Sequence, residues 1–329
     1  MNPTSDRNSL RRVLLNWKTV IPAVLALAVV LAFGVYTRPS ELAHALRGFS
    51  FIYLVPILGL ALLNYVVRFV RWQYYLRVVG VDVEARRSAG VFFSGLALSV
   101  TPGKIGELFK CVMLKREIGA PYSRTVPVVV NERLTDLLSV VLLAGLGVIR
   151  YPTGLLVFVV GMAAVTALIV ALALSPRLAD RLGPWLGRRL ARRAAAESAQ
   201  ETAHSFARLL GARSFALGTA LGVLAWFCEC LAFWLVFPGL GVSGPSLLGA
   251  GFVYALATLA GAVSFLPGGL GATEVSMAAM LGVVFQVPRQ ASAAATLVIR
   301  ACTLWFAVLV GIVVYTVHMK RYGREAHDD

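Results

Sequence analysis

The sequence predicts an all-α polytopic membrane fold built partly from broken helical hairpins, and three observations predict it. Apolar runs of near-spanning length recur along the chain. Hydrophobic residues make up 58% of the 329 and charged residues 14%, with a mean hydropathy of +0.77. The basic residues gather in short stretches between the apolar runs. A helical span needs about 20 apolar residues, and a bilayer leaves backbone groups no water, which favours helices. A barrel would instead read as short alternating strands, and none are visible. The net charge of +15 does not indicate nucleic acid, because Lys and Arg sit where the positive-inside rule places them.

In chain order, a basic segment 1–18 precedes an apolar run at 20–36, which no small-residue cleavage site follows. It therefore reads as an uncleaved span rather than a signal peptide. Full spans are expected at 19–37, 51–70, 125–149, 153–174, 214–237 and 290–318. Two further apolar regions, 88–115 and 247–286, are each interrupted by Pro-Gly, at Pro102-Gly103 and Pro267-Gly268. Each reads as a hairpin of two short helices, re-entrant or spanning, that leaves on the side where it entered. The first membrane half is then 19–174 and the second 214–318. The segment 175–213 between them is rich in Ala and Arg and reads as a helix. It is either a solvated linker or an interfacial helix drawn to anionic headgroups. A tail follows at 319–329.

With the N-terminus inside, 23 Lys and Arg fall in cytoplasmic segments and 4 in the opposite set, the other four lying within membrane segments. This asymmetry puts both termini in the cytoplasm of a multi-pass inner-membrane protein.

The two breaks align beyond their prolines. Ser99, Pro102, Gly103 and Gly106 match Ser264, Pro267, Gly268 and Gly271 at an offset of 165. After the insertion Ala272-Thr273 the offset becomes 167, pairing Glu107 with Glu274, Pro121 with Pro288 and Arg133 with Arg300. The Glu-to-Arg spacing is 26 in both copies (133 − 107 and 300 − 274). Asn64 and Glu229, each polar within an apolar span, also stand 165 apart. Three full spans separate the hairpins, so the second copy is expected upside down relative to the first. Inverted repeats around broken helices recur in secondary transporters, with substrate near the midplane.

The residues able to carry chemistry follow from this plan. A charge at a helix centre costs roughly 2.5–3.5 kcal/mol on insertion scales, so Lys104, Glu107, Glu132, Arg133, Asp136, Glu229, Glu274 and Arg300 must pair or face a wet cavity. The fixed spacing makes Glu107–Arg133 and Glu274–Arg300 natural partners. As ion pairs alone they would staple each hairpin to the following span. Glycine beside each break (Gly103, Gly106; Gly268, Gly269, Gly271) allows close backbone approach, and a helix restarting there offers N–H groups and a positive dipole end. Arginines beside such ends suit an anionic headgroup, foremost a phosphate. Glu107 or Glu274 could titrate and couple movement to protons.

Other features read more plainly. Arg68, Arg71, Trp72, Tyr74 and Tyr75 look like a helix-end anchor at the interface, or a place where anionic lipid collects. Cys111, Cys228, Cys230 and Cys302 lack zinc or disulfide spacing and read as small buried hydrophobes. Cys228-Glu229-Cys230 is no metal site, since i and i+2 point to different faces of a helix. His44, His204, His318 and His327 are expected in loops or at helix ends. No P-loop, nucleophile elbow or metal motif occurs, and no cofactor is expected.

The motifs "TPGKIGE" (101–107), "ERLTD" (132–136) and "LPGGLGATE" (266–274), with Arg300, resemble the transmembrane region of lysylphosphatidylglycerol synthases over about residues 15–318. In fused members that region is thought to move an aminoacylated phospholipid across the bilayer, while a soluble domain makes it. Here eleven residues follow the last expected span (319–329), so the resemblance implies the membrane part without the synthase. Other relatives are associated with hopanoids or polyprenyl-linked sugars. The leading expectation is a flippase- or scramblase-like translocator of an anionic or polyprenyl-phosphate lipid, with membrane lipids as partners and no nucleic acid. Lys104, Glu107, Arg133, Asp136, Glu229, Glu274 and Arg300 are its expected substrate-binding residues. The alternatives are a membrane transferase acting on a lipid-linked substrate, and a small-solute transporter.

Overall fold

The computed structural model describes residues 39–101, 106–151, 160–164, 167, 171 and 193–322. The expected segments 1–18, 19–37, most of 153–174, 175–192 and 323–329 therefore lie outside the described residues, as do Pro102, Gly103 and Lys104.

Every regular element among the described residues is helical. After α1 (Pro39–Arg47), a 3-10 turn at Phe51–Tyr53 leads into α2 (Leu54–Val78). The first hairpin comprises α3 (Ala85–Gly95), a 3-10 turn (Leu96–Leu98) and, beyond the break, α4 (Phe109–Ile118). Gly119 takes the left-handed conformation that ends α4 (φ 70°). Then come α5 (Tyr122–Val148), α6 (Arg193–Leu209) and α7 (Ala212–Gly239). The second hairpin is α8 (Leu247–Val263), a 3-10 turn (Pro267–Gly269) and α9 (Ala272–Phe285). Finally α10 (Arg289–Arg300) passes through a π turn (Ala301–Trp305) into α11 (Phe306–Tyr322).

Helices stand on either side of the second Pro-Gly pair, and α3 and α4 flank the first, whose Pro102 and Gly103 lie outside the described residues. The long spans run a few residues beyond their expected ends: α2 continues to Val78, and α7 begins at Ala212. Four stretches are long and apolar enough to cross a membrane among the described residues: Phe51–Val78, Ala212–Gly239, Pro267–Phe285 and Arg289–Arg321. The 27-residue α5 also has spanning length, but Glu132, Arg133 and Asp136 interrupt its apolar character.

The core forms where α7 packs on α2 and α5, and α8 packs on α5 and α9. It is filled by Trp226, Phe233, Phe237 and Phe252 against Val140, Val141 and Ala144. Asn64, polar within α2, donates Nδ2–H to the Ala225 carbonyl of α7 at 2.8 Å. This satisfies a polar group whose burial unpaired would be costly, and it ties together the two helices that carry Asn64 and Glu229. All four cysteines are buried.

The last helix is shared between neighbours. Its first part, α10, packs on α1, α7 and α9, whereas α11 packs on α3. Small residues allow close approach in such contacts: a β-carbon on Gly311 would stand 2.1 Å from the backbone nitrogen of Ala97. Near the end of α11, His318 is buried and pairs with Glu117 of α4 at 2.8 Å. His204 lies well inside α6. His318 thus stands near a helix end, as expected, whereas His204 lies within a helix rather than at its end or in a loop.

Candidate functional site

A cavity of about 400 Å³ lies between the two hairpins. Arg68 and Tyr65 reach it from α2, Glu107 from the first hairpin, and Arg133 and Asp136 from α5. Glu229 on α7, Tyr254 on α8 and Arg300 at the end of α10 line it too, with the hydroxyls of Ser99, Thr258, Thr273 and Thr303. Phe265 and Leu266, 75% and 40% exposed, give it an apolar edge at the tip of the second hairpin.

The spacing of 26 residues does join the expected pairs. Arg133 Nη2 is 3.0 Å from Glu107 Oε2, and Arg300 Nε donates to Glu274 Oε1 at 2.5 Å. Asp136, one helical turn after Arg133, is shared by three guanidinium groups: Arg71 at 2.6 Å, Arg133 at 3.0 Å and Arg68 at 3.4 Å. Glu107 also has Lys110 at 3.7 Å and Arg68 at 3.9 Å. Beneath it, Lys110 Nζ bonds Glu132 at 2.8 Å and lies 4.4 Å from the Trp72 ring centroid. Such charge-assisted and cation–π contacts let a buried ammonium survive.

Five expected binding residues therefore line one cavity: Glu107, Arg133, Asp136, Glu229 and Arg300. Glu274 stands behind Arg300 and is 1% exposed, so it orients the guanidinium without forming the wall. Lys104 lies outside the described residues. The sequence reading expects free N–H groups where α9 restarts. That offer is already taken up in part, because the Gly271 N–H donates to Glu274 Oε2 at 2.7 Å. The glutamate three residues into the helix serves as its own cap.

One expectation is corrected. The basic, aromatic run at 68–75 is not an interfacial anchor: Arg71, Trp72 and Tyr75 are all 0% exposed. Arg71 is fixed on Asp136 and Thr135, and Arg68 lines the cavity. The run lies in the last turns of α2, which extends to Val78, and Arg71, Trp72 and Tyr75 turn inward from it. Spacing along the helix carries a signal here: Tyr65, Arg68, Arg71 and Trp72 recur at three or four residues and share one face.

Tyr254 and Tyr65 also escape a sequence reading, since tyrosine in an apolar span is unremarkable. Tyr254 Oη donates to Glu229 Oε2 at 2.5 Å. Tyr65 Oη donates to the Thr303 carbonyl at 2.6 Å, within the π turn. That turn falls immediately after Arg300, and such turns collect at functional positions.

Chemically, the arrangement presents guanidinium groups whose inner edges are held by carboxylates. Arg133 is the more open, with 26% of its side chain exposed against 12% for Arg300. Planar guanidinium groups recognise phosphate and carboxylate through paired N–H bonds.

Comparison with known proteins follows the same lines. The sequence model of the lysylphosphatidylglycerol synthase TM region matches residues 23–311. A UPF0104 membrane protein of Methanothermobacter thermautotrophicus is 39% identical over 107 residues, a match spanning 31% of this chain and 31% of that relative. A second match to a UPF0104 membrane protein of the same organism is 27% identical over 320 residues, covering 89% of this chain and 92% of the relative.

Proposed function

The chain belongs to the lysylphosphatidylglycerol synthase transmembrane-region family, and on that premise we propose that it is a lipid translocator, flippase- or scramblase-like, for an anionic phospholipid or a polyprenyl-phosphate-linked lipid. The observation that carries the reading is the cavity in which Arg68, Arg133 and Arg300 face a common space beside an apolar edge. A headgroup phosphate would meet the outer edges of the guanidinium groups, and its hydrocarbon would leave past Phe265 and Leu266. The volume of about 400 Å³ falls in the usual range for small-ligand sites, roughly 300–1,000 Å³, and suits one headgroup.

In this reading the carboxylates position the arginines. Glu107 and Asp136 fix Arg133, and Glu274 fixes Arg300, so that bound phosphate finds preset donors. The two hairpins enter from opposite faces as an inverted pair and meet at the cavity. Both termini face the cytoplasm of an inner membrane. With Arg68 and Arg71 assigned to the interior, the cytoplasmic count falls from 23 to 21 against 4, and the asymmetry persists.

The test is reconstitution into liposomes carrying fluorescent phosphatidylglycerol on both leaflets, followed by dithionite bleaching from outside. Protein-containing vesicles should lose the inner-leaflet signal that empty vesicles retain. Arg300→Ala and Glu274→Gln should abolish the loss. Equal translocation by both variants and the parent would remove this cavity from the mechanism.

A further inference from the structure

The tip of the second hairpin is tied to the cavity by one bond of unusual consequence. Arg300 Nη2 donates to the Gly268 carbonyl at 2.7 Å, while Nε of the same side chain stays on Glu274. Around that carbonyl the backbone is left-handed at four of seven positions: Phe265 (φ 53°), Gly268 (60°), Gly269 (67°) and Gly271 (88°). Glycines adopt this freely, but a phenylalanine does so only when its surroundings hold it there.

Within the hairpin the restraints are local. Ser264 Oγ donates to the Gly261 carbonyl at 2.7 Å and accepts the Leu266 N–H at 3.3 Å. Arg300 supplies the bond that reaches the tip from another helix. Phe265 itself stands at the cavity edge, 75% exposed. The acceptor that Arg300 holds is a neutral carbonyl. That bond is charged on the donor side alone, and an ionised oxygen, which a guanidinium also binds through paired N–H bonds, would add the opposite charge on the acceptor side.

We propose that Arg300 is a latch on the second hairpin and that a phosphoryl-bearing lipid headgroup opens it. A phosphoryl oxygen takes Nη2 from the Gly268 carbonyl, Glu274 keeps Nε, and residues 265–269 swing from the cavity edge with Phe265. Cargo recognition and opening are then one exchange of acceptors. This rests on the lipid-translocator reading of the same cavity.

The experiment uses the full chain in dodecyl maltoside micelles, which contain no phosphate. A nitroxide is placed on Leu266→Cys, the four native cysteines being buried. Dioleoylphosphatidylglycerol should shorten the label's rotational correlation time about threefold or more, towards that of a free loop, and dioleoylglycerol, with the same tails and no phosphate, should not. In the Arg300→Gln background the label should be mobile before any lipid is added. The parent comparison of the two lipids stands even if that variant fails to fold. A label that stays immobile while native mass spectrometry shows phosphatidylglycerol bound overturns the latch alone, as does equal motion with dioleoylglycerol. Absence of phosphatidylglycerol binding overturns the headgroup reading and the latch with it.

Discussion

Gly268 of the second hairpin lies against Val100 of the first, so closely that a β-carbon on the glycine would stand 3.3 Å from Val100 Cγ1. The second break therefore lies against the segment that leads into the first, more than 160 residues away in sequence. The arginines that follow each break converge on the cavity beside that contact. Two predictions concern how those charges are held, and two concern helix contacts away from the cavity.

Arg300→Ala should destabilise the protein by about 3–5 kcal/mol, because Glu274 is left as a buried, uncompensated carboxylate. Adding Glu274→Gln to it should recover a large part of the loss. Thermal unfolding in detergent of the parent, both single variants and the double variant measures this. Additive losses would mean that the pair contributes nothing as a pair.

Asp136→Asn should cost a similar amount, about 3–5 kcal/mol, since it strips the carboxylate from Arg71, which is 0% exposed. Replacing Arg71 with Met in the same background removes the stranded charge and should restore stability. Translocation should stay impaired in that double variant, because Arg133 and Arg68 have lost their common anchor. Midpoints of unfolding and dithionite rates separate the two effects.

Gly311→Ala should lower the unfolding midpoint by an amount equivalent to about 1–3 kcal/mol, the usual cost of overpacking. The added carbon would meet the nitrogen of Ala97 at 2.1 Å and its Cα at 2.7 Å. Both are backbone atoms, so no side chain can turn away and α11 must part from the first hairpin. An unchanged midpoint would show that this contact is looser than described.

The docking of α6 on α5 should depend on acid pH. The Ser123 hydroxyl, then the Arg124 guanidinium at 2.7 Å, hold the Glu201 carboxyl below its usual range. Stability from a depressed carboxylate is present above its unfolded value and is lost as pH falls through its folded value. Anisotropy of a dye on Ala207→Cys should therefore stay level from neutral pH down to about 4.5, the ordinary glutamate value, and fall only below it. Glu201→Gln should weaken docking at neutral pH and flatten the acid limb.

Much of this was open to reading in the sequence, for physical reasons. Proline alone is a weak signal, since Pro127 lies inside α5 and Pro238 inside α7, but proline followed by glycine within an apolar run marks an interruption. An ionised group in an apolar run needs a partner, and equal spacing of 26 residues names Arg133 for Glu107 and Arg300 for Glu274. Arg68 and Arg71 were harder, because basic residues beside aromatics look alike whether they reach water or turn inward. Only the length of α2 and the position of Asp136 on a neighbouring helix decide between the two. Tyr254 and Glu229 meet across two helices, and no local pattern announces such a contact. The order of Glu274 behind Arg300 is likewise a matter of tertiary packing, invisible to spacing.

The wide turn at Ala301–Trp305 has one more implication. Each residue of an α-helix advances the azimuth by about 100°, and a π turn accommodates one surplus residue without breaking the rod. Winding Ala301–Trp305 as regular α-helix with no residue removed would therefore turn Gly311 and His318 away from their partners by about that angle, whereas a single-codon deletion there would leave a smooth helix with both still in register. The wide turn works as a phase shifter: it lets one rod keep Arg300 aimed at the cavity and the glycine edge aimed at Ala97.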